Sequence, residues 1–457
     1  MRNYLWISVV LVLAGFSSGF AKDLSCSSKD MTVKKFSLSK AVEKALEMNP
    51  EVKKAFYDTK AFKADYDNAL SNFMPEISAY AEYLNGDAPS SYLFKSIDQR
   101  KLPPATDFND PGSFENYEAG ISAKMRLFNG NRTLNFKKMA EQGVLAGKFM
   151  EDEVKNSLIY SVISVWYDIL NAKDMVNIAI DSVNAIEEQV RIKEIKFKGG
   201  SALESDLLSL RAGLYEAREK FLEAKNNCRI MRSRLAVIIG LDPMTEIDTS
   251  DDDFQIDKIP HTFISLSEKA LELRPYLKAV KKQVLIETKK VKIEKGGYLP
   301  TLDLKMDYYH DDPDFKFSKE RENYRVGVVM GLKIFDGFST SSKIKKADAM
   351  LKKALEEERK AVLNVKMQIR KALFDFELAK EQFETAKLRK NDAEASFKLV
   401  KNQFEGGSAD ITRYLNAELA KNSAETAERL AYYRIKKARA AMAEASGFLY
   451  FFAKELK

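Results

Sequence analysis

The chain has 457 residues, 31% of them charged, and 74 Lys and Arg against 67 Asp and Glu leave a formal charge of only +7. Both signs are spread along the helical stretches rather than gathered in a basic block, which argues against a nucleic-acid partner. Length alone would suggest about three domains, but an internal duplication overrides that division.

In chain order, residues 1–21 read as a secretory signal. Arg2 is its positive end, Tyr4 to Phe16 its apolar core, and Gly19-Phe20-Ala21 the segment before a cut. That core is shorter than the roughly 20 residues a membrane-spanning helix takes. Cys26 raises a lipid-anchor reading against plain cleavage after Ala21, and the acidic Asp23 close before it favours cleavage. Whether Cys26 pairs with Cys228 stays open, because spacing does not supply their separation.

The mature chain divides into a first repeat (22–240), a linker (241–264), a second repeat (265–447) and a tail (448–457). Adding 207 carries Tyr117, Gly120, Phe128, Gly130, Gly199, Gly200, Ser201 and Gly240 onto Tyr324, Gly327, Phe335, Gly337, Gly406, Gly407, Ser408 and Gly447. Upstream the offset is 225: it carries Glu43–Glu47 onto Glu268–Glu272, Pro50 onto Pro275, Pro75 onto Pro300 and Tyr83 onto Tyr308. The two copies therefore differ by 18 residues, all lost between Tyr83 and Tyr117.

Each repeat opens with helical spacing, as at Val42, Ala45 and Leu46. Asn49-Pro50-Glu51 then supplies a cap, a first-turn proline and an acid, so a second helix starts there and runs to about Phe73; its copy runs from Pro275 to about Gly296. Strands follow at about 75–84 and 117–128, and again at about 300–309 and 324–335. Ile77, Ala79, Ala81 and Tyr83 alternate with polar residues, and Tyr324, Val326, Val328, Met330, Leu332 and Ile334 form one clean face.

Such strands have the dimensions of transmembrane β-barrel strands. A half-buried soluble sheet has the same period. The signal and the long polar loops at Asn85–Asn116 and His310–Asn323 favour the membrane. Four strands are too few for a barrel, which needs about eight, and lipid tolerates no open edge. Several chains must then share one barrel, a dimer giving eight strands or a trimer twelve.

Long helices are expected at 131–198 and 338–405, returning through 203–240 and 409–446. An a/d register runs through Leu158, Val162, Val165, Ile169, Ala172, Val176, Ala179, Val183, Ile186 and Val190, and in the copy through Val365, Ile369, Ala372, Phe376, Ala379, Phe383 and Ala386. A second stripe at Ile159, Ile163, Trp166 and Leu170 means neighbours on two sides. Residues 131–198 would extend about 100 Å, and 50–73 plus 203–240 about 93 Å, so two short helices match one long one.

The linker's Asp251-Asp252-Asp253 reads as a solvated surface, with a divalent ion as the other possibility. No catalytic constellation is visible: His261 and His310 are the only histidines, and no phosphate-binding glycine loop occurs. His310-Asp311-Asp312 reads as a solvated loop rather than a metal site. The fifteen methionines are scattered through helices and strands rather than set at ligand spacing, and core packing is the better account of them. No cofactor and no enzyme activity are expected.

The two glycine turns, Phe197-Lys198-Gly199-Gly200-Ser201 and Phe404-Glu405-Gly406-Gly407-Ser408, each end a helix with glycine, and the serine is expected to cap the next. With Asn49-Pro50, Leu299-Pro300 and Phe335-Asp336-Gly337, they resemble the TolC family of outer-membrane efflux and secretion channels, in register over nearly the whole mature chain. The resemblance implies an α+β membrane protein: a long α-helical barrel of coiled-coil hairpins with a transmembrane β-barrel shared between three protomers. It implies that Gly199, Gly200, Ser201, Gly406, Gly407 and Ser408 form periplasmic tips where an adaptor protein of an inner-membrane transporter docks. It implies an entrance gate at Phe404, Asp206, Arg413 and Asn416. The family's acidic entrance is altered here by Arg413 and Asn416, so Asp206 is expected to pair with Arg413 across the closed mouth. The function implied is a passive exit duct of a tripartite efflux pump, in the outer membrane and extending into the periplasm. A type I protein-secretion duct is the alternative, and a periplasmic coiled-coil scaffold the reading from another class.

Overall fold

The structure is a computed structural model that describes residues 34–250, 260 and 262–449. The signal segment, Cys26, Asp251–Asp253, His261 and residues 450–457 lie outside the described residues.

Strand β1 (Lys34–Phe36) leads into α1 (Leu38–Met48), whose N-cap Ser37 accepts a hydrogen bond from the Lys40 amide. Asn49 ends α1 and starts α2 (Pro50–Ser71), its Oδ1 accepting from the Glu51 amide at 2.8 Å. Then come β2 (Glu76–Gly86), α3 (Pro89–Asp98), β3 (Phe114–Asn129), the 67-residue α4 (Arg132–Lys198) and α5 (Glu204–Ile239). After β4 (Ile247–Thr249) the series repeats without a counterpart of α3: α6 (Phe263–Leu273), α7 (Pro275–Lys295), β5 (Thr301–Asp312), β6 (Glu322–Gly331), the 67-residue α8 (Ser339–Glu405) and α9 (Ile411–Ser446). Gly240 and Gly447 end α5 and α9 at φ +91° and +81°, values that glycine adopts without a Cβ clash.

Two compact units result. One holds the residues up to Lys54, Asp152–Arg274 and Asn364 onward; the other holds Ala55–Glu151 and Pro275–Leu363. Each draws on both repeats, and α4 and α8 contribute to both.

In the first unit the apolar register of α4 is buried: Val162, Val165, Ile169, Ala172 and Val176 are at most 5% exposed, and Ile159, Ile163 and Trp166 are buried beside them. A pair absent from the sequence reading is also here. β1 runs parallel to β4, and Lys173 and Arg232 each donate to Asp248 at 2.8 Å. Three-residue strands are too short for alternation to reveal them.

The second unit holds a four-stranded antiparallel sheet in the order β2-β3-β5-β6. β6 stops at Gly331, short of the expected 335, because its last partner is Thr301, the residue after Pro300, and proline has no amide to extend the ladder. β3 begins earlier than expected, at Phe114 opposite Gly86. The segment expected as an irregular loop contains α3, with Pro89 at its start.

Candidate functional site: an apolar sheet face and two helical tips

The ladders place Ile77 opposite Ala123, Ala79 opposite Ile121 and Tyr83 opposite Tyr117; Ile121 faces Tyr308, Met125 faces Leu304, Met306 faces Val326 and Tyr308 faces Tyr324. One side of all four strands is therefore apolar, and it is open: Tyr324 is 82% exposed and Met330 71%. The other side carries polar pairs. Ser78 and Ser122 hydroxyls lie 2.8 Å apart, Tyr80 donates to Glu118 at 2.8 Å, and Arg126 Nε donates to Asp303 Oδ1 at 2.8 Å. β2 and β6 each have a partner on one side only.

At one end of the sheet the two long loops take opposite faces. Phe315 packs edge-on against Tyr117 and Phe317 against His310, placing a cluster of aromatic rings on the apolar side. α3 lies on the polar side: Lys95 binds Glu118 and, at 2.9 Å, Asp311, and Gln99 donates to Asn116 at 2.8 Å. Burial works against the Lys95 charge, but the hydrogen bonds to Glu118 and Asp311 outweigh it and raise its pKa above the usual lysine range. The solvated reading of His310-Asp311-Asp312 is overturned here. Asp311 and Asp312 are fully buried, the first held by Lys95 and Asn116 and the second by Arg321 at 2.6 Å. These carboxylates anchor the loops.

In the first unit each long helix ends in the same way. Gly200 (φ +72°) bonds back to Phe197 O and Ser201 to Lys196 O; Gly407 (φ +79°) bonds to Phe404 O and Ser408 to Gln403 O. This is the paired bonding of a Schellman motif. Ser201 and Ser408 thus close the preceding helix and do not cap the next, which corrects their expected role: their hydroxyls also donate to Lys196 O and Gln403 O. Leu203 stands at the N-cap of α5 and supplies no side-chain cap, whereas Asp410 caps α9 through the Arg413 amide at 2.7 Å.

The expected gate residues sit close above these turns. Phe404 stacks on Tyr414 with ring centroids 4.8 Å apart. Asp206 accepts from Lys193 at 3.0 Å, so within one chain its partner is Lys193 and not Arg413. The Lys193 ammonium also lies 5.5 Å from the Phe404 ring centroid. Arg413 and Asn416 are exposed. Ile186, Val190, Leu207, Leu210, Leu214 and Ile411 form one apolar cluster, with Phe404 and Leu415 against it, so both hairpin tips share a core.

Residues 41–241 and 266–448 match the outer membrane efflux protein family. The chain belongs to that family. It is similar to Outer membrane protein TolC of Escherichia coli, at 21% identity over 431 residues covering 91% of this chain and 80% of the relative. It is also similar to Protein CyaE of Bordetella pertussis, at 20% identity over 320 residues covering 68% of this chain and 63% of the relative. The match thus spans less than two thirds of CyaE. The Campylobacter jejuni CmeC outer membrane channel superposes with a TM-score of 0.78 at 18% identity, covering 90% of this chain and 85% of that one. These likenesses give this outer membrane efflux family member its fold, and family membership gives its place in the outer membrane with a periplasmic extension.

Two residues in this family member's tip region were not singled out by the sequence reading. Nothing in spacing separates Lys193 from the other lysines of α4. Glu418 is 3% exposed and accepts from Ser182 at 2.8 Å; burial pushes its carboxyl above the usual range against that hydrogen bond. Its position seven residues after the buried Ile411 was a visible signal, an acid on an apolar stripe. Glu418 and Asn416 line a cleft of about 490 Å³ between α4, α5 and α9.

Proposed function

We propose that three copies of this chain close their sheets into one twelve-stranded barrel and form a passive exit duct, an efflux conduit without enzymatic chemistry. The observation that supports this best is the exposed apolar face kept in register across four strands whose two outer edges are unpaired. In hydrocarbon every backbone donor needs a partner, so the edges of β2 and β6 must meet other copies. With the apolar side toward lipid, the polar side lines a water-filled lumen.

The helices supply a second support. Leu208, Tyr215, Leu222, Ile230 and Val237 recur about every seven residues along α5, and each is more than half exposed. A heptad seam of this kind is built for a neighbouring helix. The glycine turns then serve as docking tips for a periplasmic adaptor of an inner-membrane transporter, and Phe404, Asp206, Arg413 and Asn416 stand around the entrance.

The test is the subunit count and planar-bilayer conductance of the detergent-extracted protein. A conducting trimer is expected. A water-soluble, non-conducting species would replace the duct with the periplasmic scaffold.

A further inference from the structure

We propose that α3 is a built-in cap that narrows the mouth of the lumen at the loop end of the sheet, a constriction separate from the one expected at the helical tips. The proposal rests on the shared barrel with its polar face inward. The side-chain contacts that α3 and its C-cap Gln99 make with the strands among the described residues fall on that polar face. Tyr92 meets Phe114 edge-on, Gln99 donates to Asn116, and Lys95 binds Glu118 and Asp311. Just beyond the helix, Arg100 donates to Asn323 at 3.0 Å, so the hold extends across β3, β5 and β6. A loop serving only to join β2 to β3 needs none of this. Gly86 pairs with Phe114, and a two-residue turn would join them.

The cap is fastened from below. Lys95, Glu118 and Asp311 are largely or wholly shielded from water, and breaking one member of such a set leaves an uncompensated buried charge. Phe94 and Ile97, on the side of α3 away from these partners, are 67% and 43% exposed. With one α3 from each protomer, three apolar rims face the opening. The cap therefore restricts bulky solutes arriving from outside.

The test places a cysteine at Ser122, a polar-face position on the inner side of the cap, in the full-length protein in intact cells. A bulky maleimide–polyethylene glycol is applied from outside. Labelling is expected to be slow with the cap intact. It should accelerate at least about tenfold, the change that roughly 1.4 kcal/mol produces, in Lys95→Ala and in a second variant with an Asn-Gly turn in place of residues 87–113. The second variant removes the cap without disturbing the ladder, so it also reads the result should Lys95→Ala fold poorly. Equal labelling rates with the cap present and removed would overturn the proposal. Ile121→Cys, on the apolar face, separates the two levels: if it reacts with the aqueous reagent as fast as Ser122→Cys does without the cap, the barrel assignment itself fails.

Discussion

Lys193→Ala is expected to raise the open-to-closed ratio of the duct about 5–30-fold per protomer, the change made by one to two kcal/mol in a two-state equilibrium. Lys193 on α4 holds both the return helix α5, through Asp206 at 3.0 Å, and the second hairpin, through the Phe404 ring at 5.5 Å. A part-exposed ion pair contributes up to about 1 kcal/mol and a cation–π contact about 0.5–1 kcal/mol. Asp206→Asn should give a smaller rise, because the ring contact survives. Arg413→Ala removes no side-chain ion pair recorded among the described residues and should leave the ratio unchanged. Single-channel recording distinguishes these. No change in Lys193→Ala together with a rise in Arg413→Ala would return the lock to the pairing expected from the sequence.

Gly130→Ala is expected to cost about 2–5 kcal/mol and to lower the melting temperature of the extracted protein accordingly. Gly130 sits at φ +70°, where a side chain costs about 1–2 kcal/mol. Its Cβ would stand 2.3 Å from Gly296 O, and relieving such overpacking costs about 1–3 kcal/mol. The contact is mutual, since a Cβ on Gly296 would stand 2.5 Å from Gly130 O. Once one substitution has forced the β3–α4 turn away from the α7–β5 junction, the second meets less resistance. The double variant should therefore lose less than the sum of the two single losses. Melting temperature of the extracted protein is the measurement, and a melting temperature unchanged in Gly130→Ala would refute the account.

Much of the sheet was legible in the sequence because alternation is a local signal, and in Tyr324 to Met330 it is uninterrupted. The long helices were legible for the same reason, the a/d register through Val162, Val165 and Ile169 being buried as its period requires. What escaped depends on distant partners. Asp311 and Asp312 look like solvated loop acids until Lys95, 216 positions away, and Arg321 enclose them. Ser201 carries the same hydroxyl whether it opens a helix or closes one, and only the bond from its amide to Lys196 O decides. Lys193 acquires its place by facing Phe404, which belongs to the other repeat.

The join between β3 and β5 has a consequence outside the single chain. It is where the first repeat meets the second, and in the proposed barrel β6 of each copy meets β2 of the next as an equivalent join. Moving the internal pairing Ile121–Tyr308 by the two offsets, 207 and 225, sets Val328 opposite Tyr83 of the partner subunit. A disulfide engineered between those positions should link chains into covalent trimers, and failure there with success one strand step away would mean the copies meet in another register. The same shift bears on Gly337. It is the counterpart of Gly130 and keeps its positive φ, yet a Cβ there meets nothing within 4 Å. By the offset, the segment that would crowd it is the one around Ser71 of the partner subunit. In the proposed barrel Gly337 is a glycine whose neighbour would arrive only on assembly.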